Sequence, residues 1–466
     1  MKNTSKEKKR LATPHAYVIL MGIIFLLSLL TYVIPAGSFD RVVSESGTSL
    51  VVAGSYHTVE SNPTNLLTIT QLVMRGLVKN VGTVANVLIV GGAFQIVIDT
   101  GAMLAGSQKL AYKFRTRKYF VISLITCLFA CMVTFSGAVT AVIPFIPISL
   151  ILCKSLNCEK VTAVAIVMLG GYIGYTTGLM SPSNVGAAQN IAELPLYSGM
   201  GMRVVLLVVL LAATCGYMIW YEHSVQKNPA KSVYYGVEDP EWENASSELE
   251  EFTMTKRQAA VLIIMVVSLI IMVWGLLKKG WGTTESSGLL LMMGIICGAV
   301  NRDSPNSIAR SFDKGVHGVC STAIVIGIAS GVSLILSDAQ ILDTIVNAIV
   351  NVVDFLPGAL KAVGMFVSQS LINCLITSGS GQAAATMPIM VPMADLLGVS
   401  RQTAVLAFQM GDGFSNAILP WAGATAGMVG LAKVPFPIWF KYIIKLFFIW
   451  TVIGMLFMLA AVMIGY

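Results

Sequence analysis

Charge is scarce in this sequence. Lys, Arg, Asp and Glu make up 11% of the 466 residues, against roughly a quarter in soluble domains. With 56% hydrophobic residues and a mean hydropathy of +0.78, that excludes a soluble enzyme or binding module and indicates a polytopic membrane protein. Histidine is scarcer still. His15, His57, His223 and His317 all lie away from the middle of any apolar span, which argues against a proton relay through imidazole. The eight cysteines (Cys127, Cys131, Cys153, Cys158, Cys215, Cys297, Cys320, Cys374) form no CxxC and have no His at metal-ligand spacing, so they read as small buried hydrophobes. Neither HExxH nor a nucleophile with its base is present, which leaves an intramembrane enzyme without chemistry. The excess of basic residues, net +7, collects at helix ends and termini instead of a stripe with interleaved aromatics. Bilayer orientation explains it better than nucleic acid does. No span reads as carrying Arg or Lys at its middle, which disfavours a site pairing two substrate carboxylates with two cationic side chains.

What the apolar background does contain is a duplicated interruption. Thr134-Phe-Ser-Gly-Ala-Val-Thr-Ala-Val-Ile-Pro144-Phe-Ile-Pro147 recurs as Ser378-Gly-Ser-Gly-Gln-Ala-Ala-Ala-Thr-Met-Pro388-Ile-Met-Val-Pro392. Aligning Ser136 with Ser380 superposes Gly137 on Gly381 and Pro144 on Pro388. Backbone polar groups at membrane depth must be satisfied, so irregular backbone survives there only inside protein or beside a wet cavity. Interrupted hydrophobic segments at corresponding places in two halves point to the binding site of a secondary carrier. A channel would need a continuous polar path instead, whereas two hairpins from opposite faces suggest alternating gates.

A bilayer core of about 30 Å takes roughly 20 apolar residues per helix, and runs of that kind divide the chain. Residues 1–16, with Lys2, Lys6, Lys8, Lys9 and Arg10, read as a cytoplasmic N-terminus. The apolar run 17–33 ends in Pro35-Ala-Gly, a poor cleavage site, so it reads as a retained first helix. The first half covers 17–221, with a polar loop at 38–63, a re-entrant hairpin at 119–153 and a broken helix at 161–193. That helix is interrupted at Gly170-Gly171, Gly174, Gly178 and Ser181-Pro-Ser-Asn184. Lys113, Arg115, Arg117 and Lys118 mark the cytoplasmic side. A solvated linker at 222–257, with an acidic run at 241–251 and an Asn244-Ala-Ser sequon, leads to one extra crossing within 258–285. The second half, 286–466, carries a hairpin at 362–397 and a broken helix at 403–432, interrupted at Gly411-Asp-Gly, Asn416 and Pro420. Arg75-Gly-Leu-Val-Lys-Asn matches Lys314-Gly-Val-His-Gly-Val, and at the same offset Asp99 falls on Asp338. The extra crossing makes the second copy start on the opposite side, so the repeats are inverted, giving nine crossings and two hairpins. Amphipathic runs at 103–114 and 341–353 read as surface arms.

At each interruption a half-helix N-terminus presents free N–H groups and about half a positive charge, a site for carboxylate. Half-helix C-termini and freed carbonyls supply oxygen ligands for a cation such as Na⁺. The hairpin-tip candidates are Ser136, Gly137, Thr140, Ser378, Gly379, Ser380, Gly381 and Gln382. The broken-helix candidates are Ser181, Pro182, Ser183, Asn184, Asp412, Ser415, Asn416 and Pro420. Close helix packing is the competing role for the small residues among them. Asp412 stands out, because an ionisable group at this depth is costly unless paired, hydrated or protonated. It reads as counterion to a substrate ammonium or coupling cation, as a proton carrier, or as a cap on its own break. Na⁺ would lie near Ser136, Asn184, Ser380 and Asn416; H⁺ is the alternative coupling ion, and no other cofactor is expected. Asp99, Asp338 and Asp395, nearer helix ends, read as solvated or capping, and Trp421 either walls the cavity or packs.

Three stretches carry a resemblance. Tyr32-Val-Ile-Pro-Ala-Gly-Ser-Phe-Asp-Arg41, Ser378-Gly-Ser-Gly-Gln-Ala-Ala-Ala-Thr-Met-Pro388 and Arg401-Gln-Thr-Ala-Val-Leu-Ala-Phe-Gln-Met-Gly-Asp-Gly-Phe-Ser-Asn416 resemble the YfcC-like branch of the anaerobic dicarboxylate carrier family, over nearly the whole chain. The resemblance implies the ion transporter superfamily, with inverted repeats, a scaffold domain that forms a homodimer, and a transport domain of hairpins and broken helices that moves as an elevator. It implies substrates among basic amino acids, arginine/ornithine exchange and four-carbon dicarboxylates. Where the family leads one to expect a hydroxyl-rich stretch after the second break, this chain has Pro420-Trp-Ala-Gly423, whose indole narrows or reshapes the pocket. The expectation is an all-α, multi-pass inner-membrane protein with its N-terminus cytoplasmic. It would be a secondary active transporter of amino acids, basic ones included, or related small carboxylates, by ion symport or exchange. A four-carbon dicarboxylate carrier is the alternative. Its partners would be a small solute and the lipid bilayer, not nucleic acid.

Overall fold

The computed structural model describes residues 16–43, 49–52, 54–103, 105–106, 109, 117–237, 239, 242, 254–354, 356–358 and 360–466. The expected arm at 103–114, the acidic run at 241–251, the Asn244 sequon and most of the N-terminal segment 1–16 lie largely or wholly outside these residues. The fold is helical, and among the described residues seven helices are long and apolar enough to cross a membrane. The chain is therefore a multi-pass membrane protein. The remaining apolar helices are shorter, and they are the ones that build the interior.

Six helices form one body: α1 (Ala16–Leu30), α2 (Leu66–Lys79), α3 (Val81–Asp99), α9 (Lys256–Lys279), α10 (Thr283–Asn301) and α11 (Pro305–Asp338). The long α11 runs against both α2 and α3, which meet at a kink on Asn80. Two ion pairs fasten this crossing, Arg75 to Asp338 (Nη2 to Oδ1 2.9 Å) and Lys314 to Asp99 (Nζ to Oδ1 3.0 Å). Arg75 aligns with Lys314 and Asp99 with Asp338 in the sequence, so each pair joins the basic residue of one stretch to the acidic residue of the other. Asp395 pairs with Arg401 (2.8 Å). All three carboxylates that read as solvated or capping are thus ion-paired, because the helix ends that carry them pack beside basic side chains.

A second body holds the hairpins. The first consists of α4 (Lys118–Ser136), a tip at Gly137 with φ 68°, a 3-10 segment Val139–Phe145, and α5 (Ile146–Ser155). α6 (Lys160–Thr177) lies against both arms, and the chain then breaks at Gly178, passes a wide turn at Pro182–Gly186, and resumes as the short α7 (Ala187–Ile191). The second half follows the same plan. Its hairpin arms are α13 (Leu360–Asn373) and α14 (Gly379–Leu396), and both flank α15 (Arg401–Asn416), which breaks before α16 (Gly423–Leu431). α8 (Met200–Lys227) and α17 (Phe436–Met463) pack on the outside of α6 and α15. Every residue of α6 is buried, and so is α15 from Gln402 to Asn416. That is why these helices carry small and polar residues in place of lipid-facing Leu and Ile.

Two sequence expectations change here. α6 runs unbroken through Gly170, Gly171 and Gly174, and α15 through Gly411-Asp-Gly413. Those glycines lie where other segments approach most closely: Gly170 and Gly174 against α4, Gly171 against the 3-10 segment, Gly411 against the α13 arm of the second hairpin, and Gly413 against Thr176 of α6, the common use of small residues inside membrane proteins. The loop at 38–63 folds into a β-ribbon, with β1 (Gly37–Ser38) pairing antiparallel to β4 (His57–Thr58) and β2 (Arg41–Val43) to β3 (Ser49–Val51). β3 lies against α14, and Arg41 grips Asp343 on α12 (Leu342–Asp354), the amphipathic arm of the second half.

Candidate functional site

A cavity of about 460 Å³ opens where the two bodies meet. The first hairpin tip contributes Gly137, Ala138, Val139 and Thr140, and the second contributes Ile376, Thr377 and Ser378. Asn416 and Trp421–Ala424 enter from the second break, and Tyr172 and Tyr175 from α6, three residues apart and hence on one helix face. The opposite wall belongs to the other body: Lys79, Asn80 and Thr83 around the α2–α3 kink, with Ala329, Ser330 and Ser333 on α11. The volume lies within the range of about 300–1,000 Å³ usual for small-molecule sites.

Behind this wall, fully buried, is Asp412. Its Oδ2 accepts from the Tyr175 hydroxyl (2.7 Å) and from Asn184 Nδ2 (3.1 Å), and its Oδ1 from Asn416 Nδ2 (2.8 Å). Asn373 at the end of α13 donates to the Asp412 carbonyl (3.0 Å) and to Ser415 Oγ (2.8 Å), tying the hairpin to the helix it embraces. A further chain runs from Tyr172 through Thr425 (2.7 Å) to the Asn416 carbonyl (2.7 Å). Because the amides of Asn184, Asn373 and Asn416 spend their N–H groups on these bonds, their side-chain oxygens are left buried without a partner. So are Ser181 Oγ and Thr176 Oγ1. Buried polar atoms are ordinarily paired, and a cluster of unpaired oxygen acceptors around one carboxylate needs an explanation.

The predicted residues separate into three places. Gly137, Thr140, Ser378 and Asn416 line the cavity. Ser181, Asn184 and Asp412 form the buried layer behind it, with Ser415 held by Asn373. Gly379 sits between the two, so close to Tyr175 and Asp412 that its hydrogen is the only side chain that fits. Ser136 caps its own tip by accepting from the Ala138 N–H (3.4 Å), and Ser380 is exposed and outside the cavity wall. Gln382 turns into its hairpin and donates to the Gln369 carbonyl and side chain (2.9 and 2.7 Å). Ser183 lies in the wide turn. Trp421 is part of the wall, its indole N–H donating to the Cys374 carbonyl (2.8 Å).

Lys79 was not among the predicted site residues, yet it lines the cavity. It sits at the kink inside the stretch 66–99 and reaches the cavity. The signal in the sequence was the length of that stretch, too long for one helix beginning at Val81. Tyr172, Tyr175 and Asn373 were hidden for another reason, since an aromatic or an amide in a buried helix looks like packing until its partner is known.

The family model described as the C4-dicarboxylate anaerobic carrier matches residues 13–463. A protein of Escherichia coli strain K12 named "Putative basic amino acid antiporter YfcC" is 30% identical over 498 residues, covering 99% of this chain and 97% of its own. A Haemophilus influenzae protein is 25% identical over 506 residues, covering 99% of both chains. The solved YdaH transporter of Alcanivorax borkumensis superposes with a TM-score of 0.42 at 14% identity, over 97% of this chain and 99% of that one.

Proposed function

The chain belongs to the C4-dicarboxylate anaerobic carrier family, and from that premise we propose that it is a secondary carrier moving a small carboxylate-bearing solute by alternating access. The observation that carries this is the cavity of about 460 Å³ at which both hairpin tips and the second break converge. A carboxylate is the chemistry shared by a dicarboxylate, named in the family, and a basic amino acid, named in the relative.

The mechanism rests on inverted repeats and two moving bodies. The reciprocal ion pairs Arg75–Asp338 and Lys314–Asp99 support the repeats, since a two-fold relation makes residue i touch j′ while j touches i′. The hairpin body meets the helical body mainly along α16 and the first hairpin tip, a seam that permits an elevator-like displacement. Asp412, with the unpaired oxygens of Asn184, Asn373 and Asn416, is suited to a coupling cation such as Na⁺, a hard ion that takes oxygen ligands. A proton on Asp412 is the variant. Of the four residues expected near Na⁺, Asn184 and Asn416 meet at this carboxylate.

The test is uptake into proteoliposomes of radiolabelled succinate and L-arginine, with Na⁺ or pH gradients imposed in turn. Saturable uptake with counterflow is the expected result. Single-channel currents, or no uptake of either solute under any gradient, would overturn the carrier reading.

A further inference from the structure

We propose that Lys79 is the residue that binds the carboxylate of the transported solute, from the wall opposite the hairpin tips. The inference rests on the carrier reading above and adds the group that recognises the anion. Lys79 ends α2 at the kink on Asn80, and its ammonium donates to Ser333 Oγ (2.9 Å). Among the described residues it makes no ion pair, because the nearby Asp338 is taken by Arg75. Among the described residues it is the one charged side chain in the cavity wall.

A cation on the C-terminal end of a helix is favoured by the helix dipole, so a purely structural Lys79 would need no cavity. Its surroundings are those of a binding site instead. Asn80, Thr83, Ser330 and Ser333 gather hydrogen-bonding groups around the ammonium, and the hairpin tips lie across the same space. Lys79 is an exposed side chain on the wall of this open cavity, so its ammonium is available to a solute. Among the described residues no carboxylate lines the cavity, since Asp412 is sealed behind Tyr175 and Asn416. The solute's anionic end therefore has an opposite charge to meet and an ammonium end has none. Lys79 belongs to one body and the tips to the other, so this contact holds the solute across the seam that must open.

The experiment is calorimetric titration of the purified full-length protein with succinate, L-arginine and the uncharged succinamide. Lys79→Gln should weaken whichever carboxylate binds by roughly ten- to a hundredfold, the loss of one charge-assisted hydrogen bond, while Lys79→Arg stays close to wild type and succinamide is unaffected. Equal binding by wild type and Lys79→Gln overturns the proposal and leaves the carrier reading intact. Equal weakening toward succinate and succinamide also overturns it, by assigning Lys79 a structural role. Binding of neither carboxylate to the wild type removes the carrier reading itself. If Lys79→Gln melts below the assay temperature, Lys79→His decides: succinate binding must weaken as the pH is raised from 6 to 8, and pH-independent binding overturns the proposal.

Discussion

Tyr175 and Asp412 share a hydrogen bond of 2.7 Å yet face different spaces. The tyrosine forms part of the cavity wall, and the carboxylate lies fully buried behind it. The pair thus joins the buried layer to the cavity wall. A carboxylate suits that position because it accepts from three donors at once, Tyr175, Asn184 and Asn416.

Asp412→Asn replaces one of those acceptor oxygens with an NH₂ group that faces other donors. Hydrogen bonds to a charged group are each worth about 1.5–3 kcal/mol, so uptake should fall by about two orders of magnitude or more while the protein still inserts and purifies. Reconstituted uptake per carrier measures it. Unchanged uptake would remove Asp412 from the transport cycle.

Gly379→Ala tests the fit between the second tip and this pair. A β-carbon there would stand 2.7 Å from Asp412 Oδ2 and inside contact distance of the Tyr175 hydroxyl, so the tip or the two side chains must shift. Overpacking of this kind costs about 1–3 kcal/mol. Gly423→Ala, where the new carbon meets nothing within 4 Å, should leave the melting temperature unchanged. Equal melting of both variants would show that the tip is not held against Asp412.

The shared cavity predicts a labelling pattern. In a background without the eight native cysteines, thiols placed at Ala138 and Thr377 should react with a water-soluble reagent, and the transported solute should slow both, because both line one space. Ala384, buried at 8% exposure, should stay unlabelled. Protection at one tip without the other would separate the two hairpins.

Much of this arrangement is legible in the sequence, and the exceptions have physical causes. Asp412, Asn184 and Asn416 stand out because polar residues in an apolar run are costly without a function. Ser136-Gly and Ser378-Gly mark the tips because helices rarely continue through such pairs in corresponding places. The same logic misleads at Gly174 and Gly411, where glycine permits close packing and the helix continues. Ser380 matches Ser136 in the repeat but is exposed, since α14 begins at Gly379 and turns the next residue away from the cavity. Lys79 escaped because Asn80 bends the helix without a proline or glycine at the kink. The β-ribbon escaped because its strands are two or three residues long, too short for an alternation to be seen.

Glu159 predicts a pH dependence at the other end of α6. It sits in a half-buried niche where Tyr221 and Ser232 donate to its carboxylate, and burial raises its pKa above the ordinary 4.5. A raised folded-state pKa means that the folded protein holds the proton more tightly than the unfolded chain does. Stability is therefore lost as the pH climbs upward from about 4.5 through the folded value. Glu159→Gln removes that loss, so its melting temperature should gain on wild type between pH 4.5 and pH 8. Parallel curves for the two proteins would show that Glu159 is not the group responsible.

The ribbon clamp gives the last test. Arg41 holds both oxygens of Asp343 (2.9 and 2.8 Å), and Asp343 Oδ2 also accepts from the Phe39 N–H (3.0 Å). The arginine side chain is 40% exposed and the aspartate 9%, so solvent screens the ion pair from one side only. Arg41→Ala should cost no more than about 1 kcal/mol, as exposed pairs do. Asp343→Ala should cost about 1–3 kcal/mol because it also strands a buried N–H. Melting of both single variants and the double variant separates these terms, and the double variant should match Asp343→Ala. Because β3 rests on α14, the aspartate variant should also expose the ribbon to protease. A ribbon that resists cleavage in that variant would mean that its packing on α14, not the Arg41–Asp343 pair, holds it down.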